Sequence, residues 1–245
     1  MLRLFCQRAC KQLNRSQLLC RKSFSNIRLP PWENNYQNNN RVIYGIMGLN
    51  VAVFAAWYES ERDYKLRKFM NNHFLLSNQG IKKGYLHTMV TSFFSHKDIW
   101  HLGFNLLTFY TFGSNIIMSL GIRKFLGLYM VGGLASSSFF ILEPYILPKS
   151  WPSYYLNKNM FFGDRRALGA SGAVSAIVYY SILMNPAQTI LVMFVPMPAI
   201  AGLLLFLGYD LYGMFTGGGS IGHSGHLAGA SVGSAYFLYR RLRRF

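Results

Sequence analysis

The chain has 245 residues, 51% of them hydrophobic and 13% charged, with a formal net charge of +17. Soluble domains carry about twice that charged fraction, and here charge is missing from whole blocks: Ile99 to Ile122, Phe125 to Leu142, Ala167 to Tyr209 and Leu211 to Tyr239. This excludes a soluble globular enzyme, and the crowding of seven cations into the first 28 residues excludes reading the +17 as a nucleic-acid footprint. Runs of about 20 apolar residues cross a hydrocarbon core of about 30 Å as helices. The composition therefore predicts an all-α, polytopic membrane protein.

Residues 1–28 hold Arg3, Arg8, Lys11, Arg15, Arg21, Lys22 and Arg28, and no acid precedes Glu33. Spaced apolar residues (Leu2, Phe5, Leu13) without the continuous apolar core of a secretory signal predict a mitochondrial presequence, cleaved near residues 21–25. A basic tail lying on a membrane surface is the alternative. Cys6, Cys10 and Cys20 all fall in this segment. Its removal leaves no cysteine for a disulfide, a thiol nucleophile or a zinc site.

Residues 29–41 read as a polar, Asn-rich linker, and 42–245 as a domain of six helices. The first span is expected from Val42 to Tyr58. The long mixed segment 59–98 is expected to embed partly in the membrane around Phe74–Leu76 and Phe93–Phe94. The second span is expected over 99–120, with a tight turn at 121–124 before a third at 125–147. After a hydrophilic loop at 148–166, the fourth runs over 168–184 and stops at Asn185-Pro186, since proline disfavours helical geometry in the residue before it. The fifth is expected over 188–211, loosened by Pro196 and Pro198 and so a candidate gate. A glycine-rich link leads to the sixth, at 221–240. The basic residues of the last turn and the tail, Arg240 to Arg244, predict both termini on the matrix side.

Polar groups inside a membrane are costly, so each invites a functional reading. His101 and Asn105 are four apart on the second span and share a face. Ser171 opens the fourth span between small residues, with Gly169, Gly172 and Ala176 in one stripe. The sixth span starts GHSGHLAGASVG, in which His226, Gly229 and Gly233 form the matching stripe. Small stripes let membrane helices approach closely and would bring an imidazole to Ser171. A serine hydroxyl needs a base to take its proton, and neutral histidine is the usual one. No acid lies inside the second, fourth or sixth span, so the sequence predicts a Ser–His dyad without the orienting carboxylate of a triad. His101 and Asn105 are then expected to donate to a developing oxyanion. Taken singly, each piece also has a packing explanation. With no HExxH pattern and no membrane-embedded carboxylate pair, neither a metal nor another cofactor is expected.

Together these residues resemble the rhomboid family of intramembrane serine proteases over about 86–239. The resemblance rests on HKDIWHLGFN at 96–105, GASG at 169–172 and HLAGASVG at 226–233, three motifs in order on separate spans. It implies a six-helix rhomboid bundle with Ser171 as nucleophile and His226 as base. His101 and Asn105 would line the oxyanion site, and His96 would be a structural histidine near its mouth, with Gly169, Gly172, Gly229 and Gly233 in support. The presequence, GHSGHLAG and FVPMP look like the mitochondrial, presenilin-associated rhomboid-like branch. That implies a multi-pass protein of the inner membrane acting on single-span membrane proteins in the lipid bilayer, with no nucleic-acid partner. Two departures stand out. The Trp-Arg dipeptide of the family's first loop is missing, and Ser175 stands where bacterial members often place a tyrosine against the catalytic histidine, so His226 must be braced in another way. A rhomboid-like protein that binds membrane helices without cutting them is the competing reading, and a small transporter a more remote one.

Overall fold

A computed structural model describes residues 31–146, 165–192, 195–216 and 222–243, with side chains from residue 37 onward. The expected presequence, its cysteines, most of the hydrophilic loop at 148–166 and the glycine-rich link lie outside the described residues. Residues 39–245 form one compact unit.

Helix α1 spans Pro31–Glu59, so the Asn-rich stretch before Val42 is helical. Asp63 caps α2, Tyr64–His73, its carboxylate accepting from the backbone N–H groups of Lys65 and Leu66. The chain then folds into short pieces: β1 (Leu76–Ser77), α3 (Asn78–Lys82), α4 (Thr88–Thr91) and a 3-10 turn at Ser92–Phe94. Leu75 and Leu76 are buried and so is Phe93, Leu75 against Val53, Trp57 and Met70 and Phe93 edge-on to Tyr129. The apolar residues of this segment pack on the protein's own core.

Helices α5 (Ile99–Leu120) and α6 (Ile122–Ile146) are joined at Gly121. Strand β2, Arg166–Ala167, pairs antiparallel with β1, Leu76 facing Ala167 and Ser77 facing Arg166. Helix α7, Ser171–Met184, is apolar on every side, and Ala173, Ala176, Ile177, Tyr180 and Ile182 have no exposed surface. A helix apolar all round belongs inside a bundle, and α7 packs mainly on α5, α6 and the last helix, α9 (His223–Leu242).

The expected fifth span is corrected at its start. Thr189–Val192 (β3) and Val195–Pro198 (β4) form an antiparallel hairpin, and helix α8 begins only at Ala199, running to Thr216. Pro196 and Pro198 lie in β4, two residues apart and therefore on one edge of the strand, where their missing N–H groups interrupt no ladder. They do not loosen the helix.

Helices Gln37–Glu59, Ile122–Ile146 and Ala199–Thr216 are long and apolar enough to cross a membrane by length and composition. Large apolar side chains on α5 and α8, among them Phe104, Leu107, Leu204, Leu205 and Tyr212, stay exposed, as lipid-facing residues do. The architecture is an all-α polytopic membrane bundle carrying two short β ribbons.

Candidate active site

Three ties fix the chain just before Ser171. The β1–β2 ribbon holds Arg166 and Ala167. The N–H of Gly169 donates to the carbonyl of Ser92 at 3.0 Å, and the N–H of Ala170 donates to Nε2 of His96 at 3.3 Å. Gly169 has φ +128°, a conformation in which an L side chain is strained. A Cβ there would also lie 2.7 Å from Cε1 of His101, so the glycine both turns the chain and lets that imidazole lie against the backbone.

His96 has no exposed surface and stands edge-on to His101, ring centroids 4.9 Å apart. It sits in the loop before α5. Burial, with a smaller contribution from His101, pushes its pKa down to about 3. A neutral ring is also what accepting the Ala170 N–H requires. His101 lies in the first turn of α5, which Asp98 caps by accepting from the His101 N–H at 2.7 Å. Asn105 is buried one turn on, and its Nδ2 donates to the carbonyl of His101 at 2.8 Å. One N–H of that amide is so engaged and the other is left over. His101 and Asn105 both line the cleft into which Ser171 opens.

The small stripes bring α7 and α9 into backbone contact: a Cβ on Gly229 would overlap the carbonyl of Gly172, and one on Gly233 that of Ala176. At this separation Nε2 of His226 lies 2.8 Å from Oγ of Ser171. Behind the ring, Nδ1 of His226 lies 3.0 Å from Oδ1 of Asp210 on α8, and Nδ1 of His223 lies 2.8 Å from the same oxygen. An ionised carboxylate can only accept, so Nδ1 of His226 carries the hydrogen and Nε2 presents its lone pair to the serine hydroxyl. That is the tautomer a general base needs.

The expected dyad is thereby corrected to a Ser171–His226–Asp210 arrangement. Asp210 belongs to none of the three helices that carry Ser171, His101 or His226, so no pattern along those helices points to it. The signal was present all the same: Asp210 is the one Asp, Glu, Lys or Arg between Arg166 and Arg240. It is 6% exposed, and an acid set alone in an apolar span is a functional residue by default. Ser175 lines the cleft beside Ser171, and the brace on His226 comes from the carboxylate.

The cleft encloses about 1070 Å³. Helix α7, with 14 residues, rises about 21 Å at 1.5 Å per residue, less than a hydrocarbon core of about 30 Å. Its neighbours α5, α6, α8 and α9 are longer, with 22, 25, 18 and 20 residues, and Ser171 stands at the first position of the short helix. The arrangement can activate a hydroxyl that opens into this cleft.

Comparison with known proteins identifies the family. Residues 83–243 match the model of the Rhomboid domain family. The chain is 32% identical over 228 residues to RHOMBOID-like protein 12, mitochondrial, of Arabidopsis thaliana, covering 91% of this chain and 66% of that protein. It is 29% identical over 213 residues to Rhomboid protein 1, mitochondrial, of Saccharomyces cerevisiae, covering 86% and 56%. To the human presenilin-associated rhomboid-like protein, mitochondrial, it is 28% identical over 211 residues, covering 85% and 50%. The chain thus spans half to two-thirds of the length of these relatives. The region matched to the family holds Ser171, His226 and Asp210 together, and the chain belongs to the rhomboid family, on its mitochondrial branch.

Proposed function

We propose that this protein is an intramembrane serine endopeptidase of the mitochondrial inner membrane, cleaving transmembrane or membrane-proximal segments of single-span proteins. The observation that carries the reading is the 2.8 Å contact between Ser171 Oγ and His226 Nε2, with a carboxylate on the far side of the same ring. The names of its relatives and the acid-free, Arg-rich N-terminus support the mitochondrial assignment.

In the first step His226 takes the hydroxyl proton as Ser171 Oγ attacks the scissile carbonyl. The imidazolium that forms keeps its Nδ1–H on Asp210, whose charge stabilises it. Negative charge gathers on the former carbonyl oxygen. The unengaged N–H of Asn105, the His101 ring and the backbone N–H of Ser171 supply donors for it, the last belonging to the N–H groups that a helix start leaves without intrahelical partners. One such donor is worth about 3 kcal/mol of barrier. His226 then returns its proton to the leaving amine, and water entering by the cleft hydrolyses the acyl-enzyme by the same route. Helical substrates hide their carbonyls in hydrogen bonds, so segments that unwind readily, with Gly or Pro near small residues, are the expected preference.

The test is labelling of the purified protein with a fluorophosphonate, comparing the parent with Ser171→Ala and His226→Ala. The parent should form a covalent adduct at Ser171 and both variants should lose it. A folded parent that forms no Ser171-dependent adduct would move the protein to the non-catalytic, helix-binding class.

A further inference from the structure

Peptide hydrolysis needs one histidine on Asp210, yet the structure places two there. His223 is 5% exposed and reaches neither Ser171 nor the oxyanion donors. Its ring has a fitted seat: α8 has Gly213 opposite it, where any Cβ would overlap the imidazole, and Tyr209 stands edge-on at 5.0 Å between ring centroids. The ligand atoms of Asp210, His223 and His226 all lie within 4.8 Å of one another. All three side chains line the cleft that also holds Ser171, so a small hydrated ion has a route to them.

We propose that Asp210, His223 and His226 form a site for a divalent transition-metal ion of the zinc type, and that its occupancy switches the protease off. The inference rests on the catalytic reading of Ser171 and His226. Two imidazole nitrogens and one carboxylate oxygen are a donor set that suits zinc, with cleft water available for a fourth position, whereas magnesium and calcium demand oxygen ligands. The two imidazole nitrogens now stand 2.8 and 3.0 Å from the same carboxylate oxygen, and a small outward rotation of the rings opens room for an ion about 2.0–2.2 Å from each donor. Each imidazole shifts its hydrogen from Nδ1 to Nε2 and gives the Nδ1 lone pair to the metal. Both rings stay neutral, no proton is released and nothing is oxidised or reduced. The consequence for catalysis follows from that shift. Once Nε2 of His226 carries a hydrogen it donates to Ser171 Oγ and has no lone pair with which to take the hydroxyl proton.

The alternative is that His223 serves only as a second hydrogen bond steadying Asp210, and metal binding separates the two. Full-length protein is stripped with a chelator and titrated with Co²⁺, whose visible absorption reports coordination by nitrogen and oxygen without any turnover. Ser171→Ala retains all three donors and should give the cobalt bands, displaced by Zn²⁺, while His223→Asn should not. In the parent, Zn²⁺ at about ten times its dissociation constant should suppress fluorophosphonate labelling about tenfold, as simple site occupancy dictates, and chelation should restore it. In His223→Asn the labelling measured with zinc, relative to that with chelator, should stay near unity whatever its absolute rate. Absence of cobalt bands in Ser171→Ala, or equal zinc sensitivity in the parent and His223→Asn, overturns the proposal. A chelated parent that is not labelled at all removes the protease reading instead, and the cobalt spectrum still decides the site.

Discussion

Whether Ser171 can act turns on which nitrogen of His226 carries a hydrogen, and Asp210 makes that choice by accepting at Nδ1. Asp210→Asn keeps the size of the side chain but offers an amide that can donate to Nδ1, favouring the tautomer with its hydrogen on Nε2. Peptidase kcat should fall on the order of 10²–10⁴-fold, as loss of an orienting carboxylate does elsewhere, with KM little changed because the side chain lies behind the base and not in the substrate's path. Steady-state kinetics on a model transmembrane substrate check this. Parental kcat in the Asp210→Asn variant would mean that packing alone orients the ring. Ser175 has no ring with which to hold His226, and the contact behind the imidazole comes from Asp210 on another helix, α8.

At the scale of elements, the meeting of Ser171 and His226 depends on how closely α7 and α9 approach. Gly172 and Ala176 on α7 and Gly229 and Gly233 on α9 are legible as a period in the sequence, but the distance they allow is not; Gly169, expected in the same stripe, lies before α7 and against His101 instead. Gly229→Ala puts a methyl group into the Gly172 carbonyl. The helices must separate, at a cost of about 1–3 kcal/mol for overpacking, and labelling of Ser171 should fall by more than the loss of folded protein explains. Gly127→Ala on α6 is the control. A Cβ there meets nothing within 4 Å, and Gly to Ala in a helix interior favours the fold by about 0.5–1 kcal/mol. Thermal unfolding in detergent, read beside labelling, separates the two outcomes. Helix α8 shows the limit of composition at this scale. Its prolines pointed to a kinked span, but they lie in a hairpin before the helix begins, because a strand edge tolerates a missing N–H and a helix interior does not.

For the whole molecule, the loop before α5 and the entry to α7 are joined through His96. Its folded pKa of about 3 lies below the unfolded value of about 6.5, so between these values the unfolded chain binds more protons. The contribution of His96 to stability is therefore complete above about pH 6.5 and is lost as the pH falls toward 3, by up to about 1.4 kcal/mol for each pH unit in that window. His96→Gln supplies a carbonyl acceptor for the Ala170 N–H that does not titrate. It should flatten the fall in melting temperature between pH 7 and pH 4.5, and an unchanged slope would place the acid sensitivity elsewhere. Much of this molecule was written along the chain. Charge-free blocks determined a polytopic helical protein, because the bilayer penalises a charge wherever the chain folds, and the motifs around His101, Ser171 and His226 carried the resemblance to the family, each being a local pattern on one stretch of chain. The sequence by itself did not join α8 to α9, or show that the segment before α5 packs into the core and steadies the start of α7. Those are contacts between elements far apart in the chain, and no local period records them. Only the tertiary structure brought the lone acid of the apolar half to the back of the His226 ring.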